Sequence, residues 1–308
     1  MPYLGEIAAV ATAACWTFSS LFFALATKRV SGVPTNQFRL ILAVPLLCVL
    51  HRWTEGVWWP PSLGERLPQL VASGLAGLVL GDIGYFYALG VIGPRLGSVL
   101  MSTWPAMAVG IAWLWRGAVP TWAMAGGIAV TLAGVALVLL RGGDGKSWQP
   151  SAVTPWQWRL AILGALLGAL GQALGSVLVA VATLPGPDSP LGLPGISAAL
   201  VRMLSAALGI TVVALLRGQP LGFLRVLGDQ RALGSALGGT AFGPVGGVWL
   251  SMVALKHAPV GVAATLMALT PLFMMPVAKW SYGARIGLLG ILGTLLAITG
   301  VGWLLAVK

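Results

Sequence analysis

Long apolar stretches without charged residues recur along this chain, and short breaks containing polar residues, glycine or proline separate them. A membrane-spanning helix needs about 20 mostly apolar residues, because each residue advances the helix by about 1.5 Å across a hydrocarbon layer about 30 Å thick. The pattern therefore predicts ten spanning helices, over residues 6–27, 34–50, 68–91, 95–115, 121–141, 157–183, 193–216, 232–255, 260–280 and 284–306. Nine or eleven helices stay open as alternatives, because the stretches Pro68 to Val91 and Trp156 to Thr183 are long.

The composition favours a membrane protein over a soluble one. Of the 308 residues, 58% are hydrophobic and only 8% are charged, and the mean hydropathy is +0.93. In a soluble domain roughly a quarter of the residues are charged, so this chain has too few charged residues to cover a surface that faces water. We predict an all-α integral membrane protein whose 43 glycines allow close helix packing. Glycine pairs spaced for such contacts are Gly77–Gly81, Gly164–Gly168, Gly171–Gly175, Gly234–Gly238 and Gly243–Gly247.

The two halves of the chain repeat one another. A shift of 166 positions aligns residues 88–139 with 254–305 without a gap, and it pairs Pro105 with Pro271. Each half of ten helices holds five, which is an odd number, so the halves must enter the membrane in opposite directions. Inverted repeats of this kind are a recurring design of secondary transporters.

A polar stretch separates the halves. It covers Arg141 to Thr154, and it gives a first five-helix repeat with its linker over 1–150 and a second repeat over 151–308. An arginine also recurs between the halves, as Arg39 in the second predicted helix and Arg202 in the seventh. Their offset of 163 implies a small gap relative to the main alignment.

These features resemble the EamA-type transporters of the drug/metabolite transporter superfamily, over nearly the whole chain. The resemblance rests on soft, mostly small and apolar motifs: "AACW" at 13–16, Arg39 followed by Ala43, "ALGVIG" at 88–93 with "ALKHAP" at 254–259, Pro105 and Pro271, and the endings "LAGVALVL" at 132–139 and "ITGVGWLL" at 298–305. It implies a ten-helix carrier of the cytoplasmic membrane that commonly exports small metabolites or amino acids.

One position departs from the family pattern. Family members often carry Gly-Glu after the fourth and ninth helices, whereas this chain has Gly117-Ala118 and Gly283-Ala284. A role of that glutamate therefore does not carry over to this protein.

The residue types inside the predicted helices argue against an enzyme. Intramembrane hydrolysis or group transfer needs clustered carboxylates, a zinc-binding histidine pair or a nucleophile with a base. The sequence has no HExxH and no phosphate-binding loop, and no such cluster lies within the apolar stretches. We predict no catalytic residue, no metal and no cofactor.

The net charge of +11 points to lipid rather than to nucleic acid. The basic residues stand singly at helix ends, where they contact anionic headgroups. The expected partners are a small-molecule substrate and membrane lipids, with proton coupling as an option and the oligomeric state left open.

Asp82 is the acidic residue that the pattern places near the middle of the membrane. A carboxylate there costs several kcal/mol unless it is paired, hydrated or protonated, and intramembrane acids are usually functional. Tyr85 lies three residues further on the same helix face, in position to hydrogen-bond Asp82. Two roles stay open for Asp82: a proton-coupling or amine-binding group, or the partner of a static ion pair with Arg39 or Arg202.

Arg39 and Arg202 also allow two interpretations. Each lies one or two turns inside an uncharged helix, from which a long side chain can reach the headgroups. Alternatively, each guanidinium faces inward and binds a substrate carboxylate or phosphate through two hydrogen bonds. Arg202 lies deeper from its helix break than Arg39, so we expect Arg202 to matter more for transport.

Further candidates are aromatic and polar side chains and two prolines. Pro105 and Pro271 each lack an N–H, and we expect them to kink their helices and to free the carbonyls of Met101 and Met267. Two interpretations stay open for a further set of side chains: together they line a central pocket, or each simply packs within the bundle, which is the commoner role. The set is Trp16, Ser19, Phe23, Tyr85, Trp104, Gln172, Trp249 and Thr270.

The sequence therefore predicts a secondary transporter, an exporter of small metabolites or amino acids that works by alternating access. The alternatives are a carrier of lipid-linked or nucleotide-linked substrates and a membrane scaffold or receptor without transport.

The orientation stays open. Ten helices place both termini on one side of the membrane, whose loops hold five basic residues against eleven on the opposite side. The positive-inside rule then places the termini outside, whereas the resemblance implies that they lie inside. The five are Arg52, Arg66, Arg116, Lys256 and Lys308; the eleven are Lys28, Arg29, Arg95, Arg141, Lys146, Arg159, Arg217, Arg225, Arg231, Lys279 and Arg285.

Overall fold

The structure is a computed structural model that describes residues 3–61, 63–117, 119–140, 148, 153–185, 192–258 and 260–306, and its regular elements there are helices. The first half contains α1 Leu4–Val30, α2 Gly32–Glu55, a short 3₁₀ helix Gly64–Arg66, α3 Leu67–Gly74, a π-helical segment Leu75–Gly81, α4 Asp82–Met101, α5 Trp104–Arg116 and α6 Trp122–Leu140. The second half contains α7 Pro155–Ala182, α8 Gly195–Leu216, α9 Leu224–Gly228, α10 Gln230–Thr240, a second π segment Ala241–Gly247, α11 Val248–His257, α12 Val260–Met267, α13 Thr270–Tyr282 and α14 Leu288–Ala306.

Each of the ten predicted stretches falls on helix, although not every stretch is one continuous helix. Within the described ranges, six helices are long and apolar enough to cross a membrane: Leu4–Val30, Gly32–Glu55, Gly64–Met101, Trp122–Leu139, Pro155–Ala182 and Gly195–Leu216. Trp104–Trp115 and Leu288–Leu304 are shorter apolar helices. The predicted spans 232–255 and 260–280 consist of shorter helices in series. A multi-pass all-α membrane protein is therefore clear, while the count of ten stays a prediction.

The backbone carries the same 166-residue repeat that the sequence predicts. The two π segments, Leu75–Gly81 and Ala241–Gly247, start and end 166 residues apart. So do α6 and α14, and so do the left-handed glycines that end α5 and α13, Gly117 with φ 66° and Gly283 with φ 68°. The shared irregularities extend the repeat from residues 75 to 140 in the first half and from 241 to 306 in the second.

The two halves are interlocked. The helix α1 packs against α10, the second π segment and α11, and in the same way α7 packs against α3, the first π segment and α4. The two remaining long pairs, α2 with α8 and α6 with α14, join equivalent helices of the two halves. Each half thus supplies its first helix to the other half, and the centre of the molecule is built from both.

Small residues allow these close contacts. A Cβ added at Gly84 would lie 2.5 Å from the carbonyl oxygen of Gly164, and one added at Gly164 would lie 2.6 Å from the carbonyl oxygen of Gly84. The predicted close helix packing is therefore present at the glycines of α7. The prediction is wrong for Gly234, which has no neighbour within 4 Å of an added Cβ, whereas a Cβ at Gly238 would meet the ring of Phe22.

The two prolines lie in the first turn of a new helix rather than inside a kinked one. Each helix is interrupted for two residues, 102–103 in the first half and 268–269 in the second, and Pro105 and Pro271 are the second residues of α5 and α13. A missing N–H is tolerated there because first-turn N–H groups have no helical acceptor. The expected break is present, but the carbonyl of Met267 is not free, since it accepts from Thr270 Oγ1 at 3.2 Å.

Candidate functional site

An ion pair joins α2 to α4 inside the bundle. Arg39 Nη2 donates to Asp82 Oδ2, and only 12% and 8% of the two side chains are exposed. Asp82 is the first residue of α4, immediately after the π segment, and such segments often re-aim functional residues. Arg39 therefore faces the bundle interior rather than the headgroups, and the static-pair geometry that the sequence left open for Asp82 is the one observed.

The position of Arg39 follows from the face of α2 on which it lies. Asn36, three residues earlier and fully buried, donates from Nδ2 to the carbonyl of Leu78 at 3.0 Å, within the π segment. Residues three apart share a helix face, so Asn36 fixes the rotation of α2 that directs Arg39 toward Asp82. The π segment loosens the regular helical hydrogen bonding, and Asn36 satisfies one of its carbonyls.

Two aromatic rings enclose the guanidinium of Arg39. Its Cζ lies 5.6 Å from the ring centroid of Phe23 on α1 and 5.1 Å from that of Phe86 on α4. The two rings are themselves 5.3 Å apart, and both residues are buried. Cation–π attraction and exclusion of water both favour the ion pair in this setting.

Tyr85 does not hydrogen-bond Asp82, in contrast to the expectation from sequence. Its hydroxyl lies 2.7 Å from the hydroxyl of Ser20 on α1. A partner on a neighbouring helix thus replaces the expected one on the same helix face. Tyr85 links α1 to α4 one turn from the ion pair, and Ser20 joins the candidate site.

The guanidinium of Arg202 is buried without the partner that Arg39 has. It lies where α8 crosses the first π segment and α7, with Nη2 3.4 Å from a Cβ added at Gly77 and 3.2 Å from one added at Gly175. Its Nε and Nη2 are buried and have no hydrogen-bond acceptor among the described residues. The glycines leave the room that this guanidinium occupies.

These three side chains form one electrostatic cluster. Asp82 lies close enough to Arg202 for their charges to interact, in addition to its direct bond with Arg39. Two guanidinium groups and one carboxylate leave one positive charge in excess. Because no other acidic residue of the described ranges is buried, the site as built attracts an anion, and Arg202 has free donors for it.

Three other residues that the sequence analysis proposed for the site, Ser19, Thr270 and Trp16, take part in contacts away from the ion pair. Ser19 is buried and donates to the carbonyl of Gly239 at 2.9 Å, which fastens α1 to α10. Thr17 donates to the carbonyl of Thr270 at 3.2 Å, which fastens α1 to α13. The indole ring of Trp16 packs against Gly247, because a Cβ added at Gly247 would lie only 2.5 Å from Trp16 Nε1. These contacts of Ser19, Trp16 and Thr270 join α1 to the second half, and none of them is with Asp82.

Gln172 is the candidate nearest to Arg202. Its Oε1 lies 3.7 Å from a Cβ added at Gly77, beside the point that Arg202 Nη2 also approaches. Trp249, by contrast, is 42% exposed, and Trp104, at the start of α5, is half-buried. The structure therefore brings Arg39, Asp82, Arg202, Tyr85 and Gln172 into one region.

The sequence analysis did not single out several residues near the site, and only some of them have a feature in the sequence that indicates burial. Thr35, Asn36 and Gln37 are three consecutive polar residues near the start of an apolar helix, and all three are fully buried. Such a run is expensive in lipid and indicates an inward face. Phe86 and Ser20 have no comparable signal, since aromatic and small hydroxyl residues are common throughout the chain.

No group of three or more histidine, cysteine, aspartate or glutamate side chains suited to a metal occurs within the described residues. The helices and the buried charged cluster define a multi-pass helical membrane protein with charged side chains inside its bundle. Comparison with known proteins specifies the class further. The model of the EamA-like transporter family matches the chain twice, over residues 3–140 and 159–306. The chain therefore belongs to the EamA-like transporter family and is a membrane transporter of the drug/metabolite transporter superfamily.

The fold itself also has a solved counterpart. One crystal structure of a protein superposes with a TM-score of 0.64 at 17% identity, covering 97% of this chain and 95% of the other. At this identity the likeness concerns the fold alone. No curated protein matches the sequence.

Proposed function

We propose that the protein exports small metabolites that carry a carboxylate, amino acids among them, and that Arg202 binds the carboxylate. The observation that supports this proposal is the buried guanidinium of Arg202, whose Nε and Nη2 have no acceptor among the described residues. A buried donor without an acceptor costs about 1–3 kcal/mol, more for a charged group, so a ligand that supplies the acceptor gains that free energy on binding.

A carboxylate is the ligand group that fits this site best. A planar guanidinium binds carboxylate through two parallel hydrogen bonds, and the excess positive charge of the cluster attracts an anion. Asp82 repels a second negative group nearby, which favours a ligand with one carboxylate. Once substrate displaces Arg39 from Asp82, the freed carboxylate can bind a proton or the ammonium group of an amino acid.

The transport cycle that we propose uses the two halves of the chain as moving units. Residues 1–150 and 151–308 form two inverted five-helix repeats, ten spanning helices in all, which rock against each other around the charged cluster. The packing of α1 against the second half and of α7 against the first joins the two repeats, so the first helix of each repeat must move with or slide along its partner during the cycle. Export and location in the cytoplasmic membrane rest on the resemblance to the transporter family.

Counterflow in proteoliposomes tests the proposal. A thermal-stability screen first selects ligands, because a ligand bound to the folded state raises its apparent stability. We expect monocarboxylates or amino acids to stabilise the protein and to exchange across the membrane, while neutral sugars and simple amines do neither. Arg202→Met should abolish the exchange at equal protein content, whereas the matched surface variant Arg231→Gln should keep it. Stabilisation and exchange of neutral compounds that survive Arg202→Met would overturn the carboxylate assignment.

A further inference from the structure

A groove of about 600 Å³ lies on the side of the bundle where α1 and α8 end, and none of Arg39, Asp82 and Arg202 lines it, although Ile83 and Gly84, which follow Asp82, do. It lies between the loop that joins α1 to α2, the helices α4 and α7, and the loop that follows α8. Its volume falls within the range of about 300–1,000 Å³ that ligand sites occupy.

One wall of the groove is an apolar track along α7. Leu160, Leu163 and Leu167 line it, with exposed fractions of 37%, 59% and 48%. From Leu160 to Leu167 the helix advances about 10 Å, so the track runs about a third of the way into a hydrocarbon layer. The floor is the close contact of Gly84 with Gly164, where two helix backbones nearly touch and no side chain fills the space.

The outer end of the groove is basic. Arg217, the first residue after α8, and Arg225 in α9 both line it, together with Gln219. Of the described residues that line the groove, none is acidic. The nearby Asp229 is held by Arg29, with Nε 2.7 Å from Oδ2, and so is already paired.

The basic end is rigidly placed. Gln37, fully buried in α2, donates to the carbonyl of Pro220 at 2.9 Å and accepts from the N–H of Phe223 at 3.0 Å. These bonds fasten to α2 the loop that separates Arg217 from Arg225. The height of this end is that of the headgroups, because α7 begins there with the exposed Trp156, and exposed tryptophans mark the membrane interface.

We propose that this groove binds an anionic phospholipid, with its phosphate at Arg217 and Arg225 and an acyl chain along the leucines of α7. A phosphate takes charge-assisted hydrogen bonds from arginine, and basic pockets between spanning helices bind acidic lipid headgroups. A soluble anion would fill only the basic end and leave the apolar track empty. The acyl chain is therefore what distinguishes the occupant from a free phosphate.

The experiment measures thermal unfolding of the purified protein in neutral detergent with added phosphatidylglycerol, or phosphatidylcholine of the same acyl chains. We expect phosphatidylglycerol to raise the unfolding temperature in a saturable way and phosphatidylcholine to raise it less. Arg217→Gln/Arg225→Gln should weaken the apparent affinity for phosphatidylglycerol on the order of tenfold, as expected for loss of charge-assisted bonds. Arg231→Gln, an exposed arginine outside the groove, is the matched control and should leave it unchanged.

A second variant pair tests the acyl track. Leu163→Trp fills the groove and should lower the affinity for phosphatidylglycerol, while Leu170→Trp, on the same helix and also exposed but outside the groove, should not. Equal stabilisation by the two lipids, or an unchanged response of the double arginine variant, would overturn the proposal. So would an equal shift with glycerol 3-phosphate, which has the phosphate without the chain. The assay involves no transport, so its outcome is independent of the proposed substrate.

Discussion

Arg39 and Asp82 form an ion pair inside the bundle, yet only Arg39 has a counterpart in the second half of the chain. Arg39 is the eighth residue of α2 and Arg202 is the eighth residue of α8, whereas the 166-residue repeat places Val248 opposite Asp82. One carboxylate thus stands among two related arginines. Because of this asymmetry on a repeated scaffold, Nε and Nη2 of Arg202 have no acceptor among the described residues.

The first prediction concerns the stability of this pair. Arg39→Met should destabilise the fold by about 3–5 kcal/mol, because it leaves a buried carboxylate without its partner. Arg39→Met/Asp82→Asn should recover most of that loss, since neither charge then remains unpaired. Denaturant unfolding in detergent measures all three variants as a double-mutant cycle. Equal destabilisation of the single and double variants would show that Arg39 acts through packing between Phe23 and Phe86 instead.

The second prediction concerns helix contact. Gly84→Ala should destabilise the protein by about 1–3 kcal/mol, because the new methyl group would meet the backbone of Gly164 at 2.5 Å and force α4 away from α7. Gly234→Ala is the matched control, since its Cβ has open space and alanine favours a helix. Thermal unfolding should separate the two variants clearly; a similar unfolding temperature for both would contradict the contact.

The hydropathy pattern located the helices well because burial in lipid demands long apolar segments. It could not reveal the π segment before Asp82, because that segment depends on tertiary partners such as Asn36. It did predict a break between residues 91 and 95, and Gly93, with φ 82°, interrupts α4 there. The register of the repeat was readable from paired prolines. The backbone then extended it to positions where the residues differ, as at Leu78 and Pro244, one in each π segment.

The residues of the site could be identified from the sequence, but which of them bind each other could not. Arg39, Asp82 and Arg202 stand out because charge inside an apolar helix is costly. Which of the two arginines binds Asp82 depends on how α2, α4 and α8 are rotated, and a helical pattern does not contain that rotation. The same reason explains why Tyr85 contacts Ser20 and not the residue one turn before it.

The third prediction is a pH dependence outside the membrane. Asp229 precedes α10, and the N–H of Ala232, together with Arg29 and the N–H of Arg231, holds the pKa of its carboxyl below the ordinary value of 3.8. A lowered folded-state pKa means that this stabilisation is fully present above pH 3.8 and is lost as the pH falls through the folded-state value. Asp229→Asn should therefore reduce the difference between thermal stability at pH 6 and that at pH 3. An unaltered acid response of Asp229→Asn would remove this role.

The fourth prediction separates the two arginines in transport. Arg202→Ala should lower transport more than Arg39→Ala, when both are compared per folded protein in vesicles, because Arg202 offers its donors to substrate and Arg39 gives one to Asp82. The same variants should differ in the opposite direction in stability, since Arg202→Ala leaves no carboxylate without its direct partner. Equal or reversed losses of transport would show that the substrate carboxylate binds elsewhere.

The last prediction is that Asp82 takes part in the transport cycle although it is paired in this structure. If substrate binding draws Arg39 away, the carboxylate is left in a dry, aromatic-lined site where a proton stabilises it, and release of substrate restores the ion pair and expels the proton. Asp82→Asn keeps the shape and cannot exchange that proton, so it should abolish pH-driven accumulation while substrate exchange down its own gradient continues. Asp82→Asn also leaves Arg39 unpaired, so the double variant Arg39→Met/Asp82→Asn controls for loss of fold. Accumulation of labelled substrate against an imposed pH gradient measures the effect. Should Asp82→Asn retain the full pH response, Asp82 is a structural partner of Arg39 and the coupling lies elsewhere in the protein.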